Sequence, residues 1–377
     1  MRGKRHSRSA PTLEQLREIQ KEILKDSFTG KNLYGDKTTL NDVYYRWCDI
    51  KRGLRKNTFR NYRYMYERFV EREFGTTKLK DLTRSEIRNF YNSLAADLGL
   101  KVSTIDSIHT VIHQVLEVAI DDDIIRYNPS DNAMTELKKS GVNASKKRKA
   151  MTQEEQKLFE DFLSSSEEFK RWFPVFTVLL WTGLRVGEIT ALQWEHVNFE
   201  KGIIEVNHSL VYGPDEDKGY CTFVMNEPKT KAGKRVVPMN SKVKDAFLLE
   251  KQRQKEEGIK CVSVVDGFDD FVFLNRFGEV QHQGTLNKAL RRIVKACNAE
   301  LIANSKGKKD IVLVPRLSNH ILRHTYVTRL NDANINPKVA AQIVGHSETR
   351  TTLNIYTDVF DDKIRSEMQE FNRFYDV

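Results

Sequence analysis

Four short stretches of this chain hold residues suited to chemistry on a phosphodiester. TGLRVGE at 182–188 supplies Arg185 and Glu188, and HILRH at 320–324 supplies His320, Arg323 and His324. GH at 345–346 adds His346, and TTLNIYT adds Tyr356. Arginine pairs bidentately with phosphate oxygens. Histidine donates or accepts a proton near neutral pH, and a tyrosine oxygen can act as a covalent nucleophile. No acidic cluster that could hold a metal accompanies them.

The spacing adds detail. Arg185 opens a helix, with Glu188 three residues on. A buried guanidinium needs a partner, and Glu188 can be one while leaving part of the donor fork open to phosphate; a purely structural ion pair is the alternative. His320 and Arg323 are i,i+3 on one helix and so point the same way, as a phosphate clamp requires. His320 and His324 also have the i,i+4 spacing of zinc ligands, but no carboxylate or thiol is suitably placed and Arg323 adds repulsion. His109 and His113 share that spacing and read as satisfied or solvent-facing. Gly345 reads as a helix C-cap after a helix that starts beyond Pro337, presenting His346 from a loop. Tyr356 falls in a helix opened near Thr349; a lone tyrosine is usually a packing residue, and this one gains weight from its company. The basic turn PKTKAGKR carries Lys229, Lys231, Lys234 and Arg235, read as a hairpin. A lysine there can protonate a leaving alkoxide in a groove, or simply remain solvated.

These residues need a scaffold, and the chain offers two. Residues 12–26 have helical spacing at Leu13, Leu16, Ile19, Ile23 and Leu24. A helical block follows. Thr38 and Thr39 open a first helix. Asn57 opens a second, with Tyr62, Met65, Tyr66, Phe69 and Phe74, closed by Gly75. Thr83 with Glu86 is a capping-box pattern before a third. The fourth starts near Ser103 and runs Ile105, Ile108, Ile112, Val115, Leu116 along one face. Pro129 ends regular structure. The segment 138–149, KKSGVNASKKRK, has no apolar period, holds six basic residues and no acid, and reads as a tether able to track a DNA backbone. Beyond it Thr152 and Glu155 form a capping box, Trp172 to Trp181 is an apolar helix broken at Gly183, and a short helix spans 185–192. Strand-like runs follow: GIIEVNHSLV, YCTFVMNE and KRVVPM. From 241 the pattern is mostly helical, with FVFLN extended.

Totals narrow the function classes. The chain has 377 residues, 39% hydrophobic, and a formal net charge of +10. That length suits two or three domains, and that charge favours a polyanionic partner, most simply nucleic acid. Lys51, Arg52, Arg55, Lys56, Arg60 and Arg63 give the helical block a basic face beside aromatics, suited to phosphates or to plain solvation. Cys48, Cys221, Cys261 and Cys297 lack paired spacing, which argues against zinc or a disulfide framework. No apolar run approaches a membrane span. The N-terminus MRGKRHSRSA is a basic arm without a signal-peptide core.

The motif set TGLR-xx-E, PKT-x-AGKR, H-x-LRH, GH and a terminal tyrosine, in this order, resembles the tyrosine recombinase family of phage-type integrases, most like those of conjugative transposons, over nearly the whole chain. The resemblance implies a mainly α fold with a small antiparallel β-sheet, in a two-domain architecture. The expected parts are a basic arm and linker helix at 1–35, a helical SAM-like core-binding domain at 36–135, a basic linker at 136–150, and a mixed α/β catalytic domain at 151–357. A tail helix at 358–377, with Ile364, Met368 and Phe371, would dock on a neighbouring protomer or on its own domain. It implies that Tyr356 attacks the scissile phosphate to form a 3′-phosphotyrosyl link. Arg185 and Arg323 would hold the nonbridging oxygens, His320 assist proton transfer, His346 hydrogen-bond the phosphate, and Lys229 be the general acid with Lys231 in reserve. Glu188 would support Arg185, and His324 would be secondary.

For DNA contacts the expectation is Lys146, Lys147, Arg148 and Lys149 of the linker, Lys231, Lys234 and Arg235 of the turn, and Lys51, Arg55 and Arg60 of the helical block. No metal or other cofactor is implied. The partners implied are double-stranded DNA at core recombination sites, a homotetramer on that DNA, and helper proteins for excision or DNA bending. The setting is the bacterial cytoplasm. Many such integrases carry a further N-terminal domain for separate arm sites; this chain begins almost at the linker helix, so that domain is expected to be absent or trimmed. The rivals are a type IB topoisomerase that relaxes DNA without two sites, a non-catalytic DNA-binding regulator, and a metal-dependent nuclease.

Overall fold

The computed structural model describes residues 10–29, 37–143, 149–215, 218–228, 230–305 and 310–356, with the side chains of 22–29, Lys231, Thr349 and 354–356 outside the description. The expected roles of Lys146, Lys147, Arg148, Lys229 and the 358–377 tail thus fall outside the described residues, as do the side chains of Lys231 and Tyr356. The chain divides into two units, Met1–Lys147 and Arg148–Val377.

In the first unit α1 (Leu13–Thr29) is followed by α2 (Leu40–Ile50), α3 (Lys56–Phe69), α4 (Arg84–Ala96), α5 (Val102–Asp121) and α6 (Thr135–Ser140). The start signals at Thr39 and Thr83 act as side-chain caps, whereas α3 and α5 open after Arg55 and Lys101 with no side-chain cap, so Asn57 and Ser103 lie just inside their helices. Thr39 and Asp42 form a reciprocal capping box on α2, and Thr83 Oγ1 accepts from the Glu86 amide at the start of α4. The apolar faces of α2–α5 close on one core, where Tyr44 and Tyr66 stack 3.7 Å apart beside buried Trp47, Ile87, Ile108 and Leu116. His109 and His113 are satisfied at its edge, by Tyr91 at 3.0 Å and Asp131 at 3.1 Å.

Boundaries differ from the sequence reading elsewhere as well, and the short helix read at 185–192 spans Val186–Thr190. α3 ends at Phe69 rather than running to Gly75, and Phe74–Thr76 forms a separate 3-10 turn. The tether does not begin at 136: Leu137 of α6 is buried in the first core, and Asn143 Nδ2 donates to the carbonyls of Ala95 and Leu100. One buried leucine in a lysine-rich segment carries no visible period, so composition hid the helix.

The second unit opens with α7 (Gln153–Ser165), capped by the Thr152–Glu155 box, then α8 (Phe173–Thr182) and α9 (Val186–Thr190). Among the described residues five strands follow: β1 (Val197–Asn198), β2 (Ile203–Val206), β3 (Ser209–Asp215), β4 (Tyr220–Asn226) and β5 (Arg235–Pro238). Then come α10 (Ser241–Glu256), α11 (Gln283–Asn304), α12 (Asn319–Asp332), α13 (Pro337–Val344) and α14 (Thr349–Tyr356). α8 is apolar all round and buried, lying against α10 and α12 in a core that includes Phe176, Leu179, Phe247, Leu290 and Leu322.

The strands form two antiparallel sheets, ordered β1-β2-β5 and β3-β4. Ile204 pairs with Val237 in the first, and Tyr212 with Phe223 in the second. The run GIIEVNHSLV therefore splits into two strands of different sheets. PKTKAGKR is not a hairpin turn: it leads from β4 of one sheet to β5 of the other, with a 3-10 turn at Lys231–Gly233. The hairpin lies between β3 and β4.

Candidate active site

The site grows from two helix ends. Gly183 closes α8 with φ +62° and Gly345 closes α13 with φ +70°, both in the left-handed region that glycine enters without penalty. Space also excludes larger residues: a Cβ on Gly183 would lie 2.4 Å from Tyr326 Cδ1, and one on Gly345 2.9 Å from the Ala232 carbonyl.

A helix C-terminus leaves carbonyls unsatisfied and carries partial negative charge. At α13 three consecutive carbonyls each receive an arginine. Arg235 Nε donates to Ile343 at 2.7 Å, Arg323 Nη2 to Val344 at 2.6 Å, and Arg185 Nη2 to Gly345 at 2.7 Å. Arg323 Nη1 also donates to Gly183 at 2.6 Å, joining the two helix ends. Residues far apart in sequence are thus gathered on one backbone cap.

Glu188 sits among these cations with its side chain 5% exposed. It accepts from Arg185 Nη1 at 2.7 Å, from the Arg185 amide at 2.8 Å, and from both Nη atoms of Arg235, at 3.0 and 2.8 Å. Burial opposes its ionisation, but the hydrogen bonds and charge of Arg235, with those of Arg185, outweigh burial and hold its pKa below the ordinary value. Three guanidinium charges against one carboxylate leave a net of two positive charges. The excess is felt at Arg323, whose pKa burial, and then the like charge of Arg185, pull down to about 9. It is still protonated at neutral pH. Arg185 remains 44% exposed, with two of its five N–H donors committed in these contacts. An anion with several acceptor oxygens would relieve the excess charge.

His346 follows the Gly345 cap, and its Nδ1 lies 2.8 Å from Thr352 Oγ1 on α14. Burial, and then the charges of Arg323, Arg185, Arg235 and His320, depress its pKa to about 4. It is neutral at pH 7 and serves as a hydrogen-bonding group. His320 is exposed in the first turn of α12 while Arg323, one turn on, is buried. The two are i,i+3 and share a helix face, His320 at its exposed end and near enough for its charge to act on His346.

The structure therefore brings together Arg185, Glu188, Arg323 and His346, with His320 at the edge. His324 is half-buried on α12. Lys149 and Lys234 are exposed, and Lys234 pairs with Glu227 at 3.1 Å. Lys51 and Arg60 are half-buried and Arg55 is exposed, at the start of α3.

Arg235 is a correction. It was expected to touch DNA, but its side chain is 4% exposed and bidentate to Glu188. The signal was present: Arg235 and Val237 are i,i+2 on β5, so an inward Val237 turns Arg235 inward too. Thr352, fully buried, was missed altogether; a hydroxyl one turn before Tyr356 was its only trace.

Residues 149–363 match the phage integrase family, and residues 39–95 match the N-terminal SAM-like domain of phage integrases. The transposase of transposon Tn916 from Enterococcus faecalis is 28% identical over 358 residues, 95% of this chain and 83% of the relative. The ICEBs1 integrase of Bacillus subtilis (strain 168) is 26% identical over 330 residues, 86% of this chain and 79% of the relative. Among solved structures, the Tn1549 transposon integrase in complex with transposon right end DNA superposes with a TM-score of 0.75 at 25% identity, covering 88% of this chain and 99% of that one. A lambda integrase dimer bound to a core site shares the fold, with a TM-score of 0.57 and 18% identity. Fold and family define a DNA strand-cleaving and strand-joining enzyme, and the candidate site in it is a cluster of three arginines around one buried carboxylate. The chain belongs to the phage integrase family, as a tyrosine recombinase related to the integrases of conjugative transposons.

Proposed function

We propose that this recombinase integrates and excises a mobile element by cutting and rejoining DNA through a 3′-phosphotyrosyl intermediate, with Tyr356 as nucleophile. The observation that carries the reading is the doubly positive arginine cluster on the α13 cap, with neutral His346 beside it.

In this scheme the Tyr356 oxygen attacks the scissile phosphorus as its proton departs, assisted by His320. The bond from phosphorus to the 5′ oxygen breaks, and Lys229 protonates that oxygen, with Lys231 as the alternative donor. Arg185 and Arg323 stabilise the charge that builds on the nonbridging oxygens, while His346 donates a hydrogen bond to one of them. A 5′ hydroxyl from another strand then reverses the attack. Each step exchanges one phosphodiester for another, so no ATP is consumed, and the guanidinium groups supply the positive charge a metal would otherwise bring.

The relatives' structures hold DNA, and one lambda integrase structure is a tetramer bound to a Holliday junction. We extend this to a homotetramer of the present chain on paired core sites, with excision or DNA-bending proteins as further partners. We place the reaction in the bacterial cytoplasm, the compartment of its proposed DNA substrate.

The test is a nicked suicide duplex that traps the covalent intermediate. With EDTA present the wild type should form a protein–DNA adduct and Tyr356→Phe should form none. An adduct from Tyr356→Phe would overturn the nucleophile assignment, and loss of the wild-type adduct in EDTA would revive a metal-dependent reaction.

A further inference from the structure

Among the described side chains of α14 one polar group is fully buried, Thr352, whose Oγ1 stands 2.8 Å from His346 Nδ1. Thr352 is also one helical turn before Tyr356 on the same helix. The contact therefore links the loop that holds the phosphate-facing histidine to the helix that bears the nucleophile.

The chemistry of the ring gives this contact a direction. A neutral imidazole has one N–H and one bare nitrogen. A phosphate oxygen only accepts. His346 can serve a phosphate through Nε2 only if Nε2 carries the proton, and then Nδ1 must accept. Thr352 can donate to it. The opposite arrangement is equally simple: a helical threonine hydroxyl often donates to the carbonyl four residues back, would then accept from Nδ1–H, and would leave a bare Nε2 facing the phosphate.

We propose that Thr352 is a positioning residue of the recombination reaction: its hydroxyl donates to His346 Nδ1, fixes the Nε2–H tautomer and turns that N–H toward the scissile phosphate. This rests on the reading of His346 as a phosphate contact. Removing the hydroxyl leaves both tautomers open and the ring free to rotate, so the reaction slows without loss of DNA affinity. The outer partners of metal-bound histidines affect activity by roughly 10–100-fold, and we expect a loss of that order here.

The experiment uses the full chain with 15N-labelled histidine, and suicide duplexes for cleavage. In the wild type the His346 nitrogen shifts should show protonated Nε2 and bare Nδ1. Thr352→Val should lose that pattern and cleave about 10–100-fold more slowly at unchanged duplex affinity. Thr352→Ser should keep the pattern and stay within about threefold of the wild type, since the hydroxyl is retained. The double variant Thr352→Val/His346→Ala should be no slower than His346→Ala alone, because both act through one hydrogen bond.

A wild-type ring protonated on Nδ1 overturns the proposal, and this spectrum needs no variant to fold. So does wild-type cleavage by Thr352→Val, or losses that multiply in the double variant. If His346→Ala cleaves normally, the phosphate role of His346 fails first. If His346→Ala is slow and Thr352→Val is not, the positioning role alone fails.

Discussion

Arg185 is the most exposed of the three clustered arginines, and its geometry makes a sharp demand. One Nη is committed to Glu188 and the other to the Gly345 carbonyl. A lysine offers one compact ammonium and cannot span both contacts and a phosphate. Arg185→Lys should therefore bind duplex DNA nearly as well as the wild type, by fluorescence anisotropy, yet form adduct roughly 100-fold more slowly, the loss expected when a transition-state donor is removed. His346 makes a prediction about pH. Its folded pKa of about 4 lies below the ordinary histidine value of 6.5, so the unfolded chain binds this proton first as pH falls. Stability should decline as pH drops from about 6.5 toward 4 and level off below that. His346→Asn should flatten that part of the denaturation profile, and a wild-type His346 that titrates near 6.5 by NMR would contradict the depressed pKa.

At the scale of elements, the site is a property of helix ends. α8 and α13 stop at glycines whose backbones L side chains rarely adopt, and the freed carbonyls collect the arginines. Gly345→Ala adds a Cβ 2.8 Å from Arg235 Nη1 and 2.9 Å from the Ala232 carbonyl in a positive-φ position. We expect a destabilisation of about 1–3 kcal/mol, in the range for strained backbone, read as a lower chemical-denaturation midpoint. Arg235→Ala leaves Glu188 buried with only Arg185 to hold it and should cost a few kcal/mol in the same assay, as for other broken buried ion pairs.

These elements also show what was legible in the sequence. Caps at Thr39, Thr83 and Thr152, the break at Gly183 and the turn at Gly345 are local, carried by one or two residues with fixed stereochemistry, and they could be read. The pairing of β5 with β2 instead of β4 depends on contacts distant along the chain, so the basic turn was misplaced. Arg185, Glu188, Arg323 and His346 were found by type and spacing. Arg235 was assigned to the surface because basic composition outweighed the strand alternation beside Val237. Thr352 was invisible, because its partner becomes its neighbour only when α14 packs against α13.

For the whole molecule, the net charge of +10 predicts a strongly salt-dependent, largely sequence-independent component of DNA binding. Affinity for a random duplex should fall steeply between about 50 and 200 mM salt. The cleavage rate of the preformed complex should change little, because Glu188, Arg235 and Arg323 are buried and poorly screened, and bound DNA would cover the half-exposed Arg185. A cleavage rate that falls in parallel with affinity would mean that the charged cluster opens to solvent on DNA. The central claim is that the cluster acts by its charge on the phosphate. Its most direct test compares the wild type and Arg185→Ala on two suicide duplexes, one with an ordinary scissile phosphodiester and one with an uncharged methylphosphonate there. With one anionic oxygen removed, the Arg185→Ala defect should shrink at least tenfold, about 1.4 kcal/mol of transition-state stabilisation no longer demanded. An equal defect on both duplexes would contradict the account.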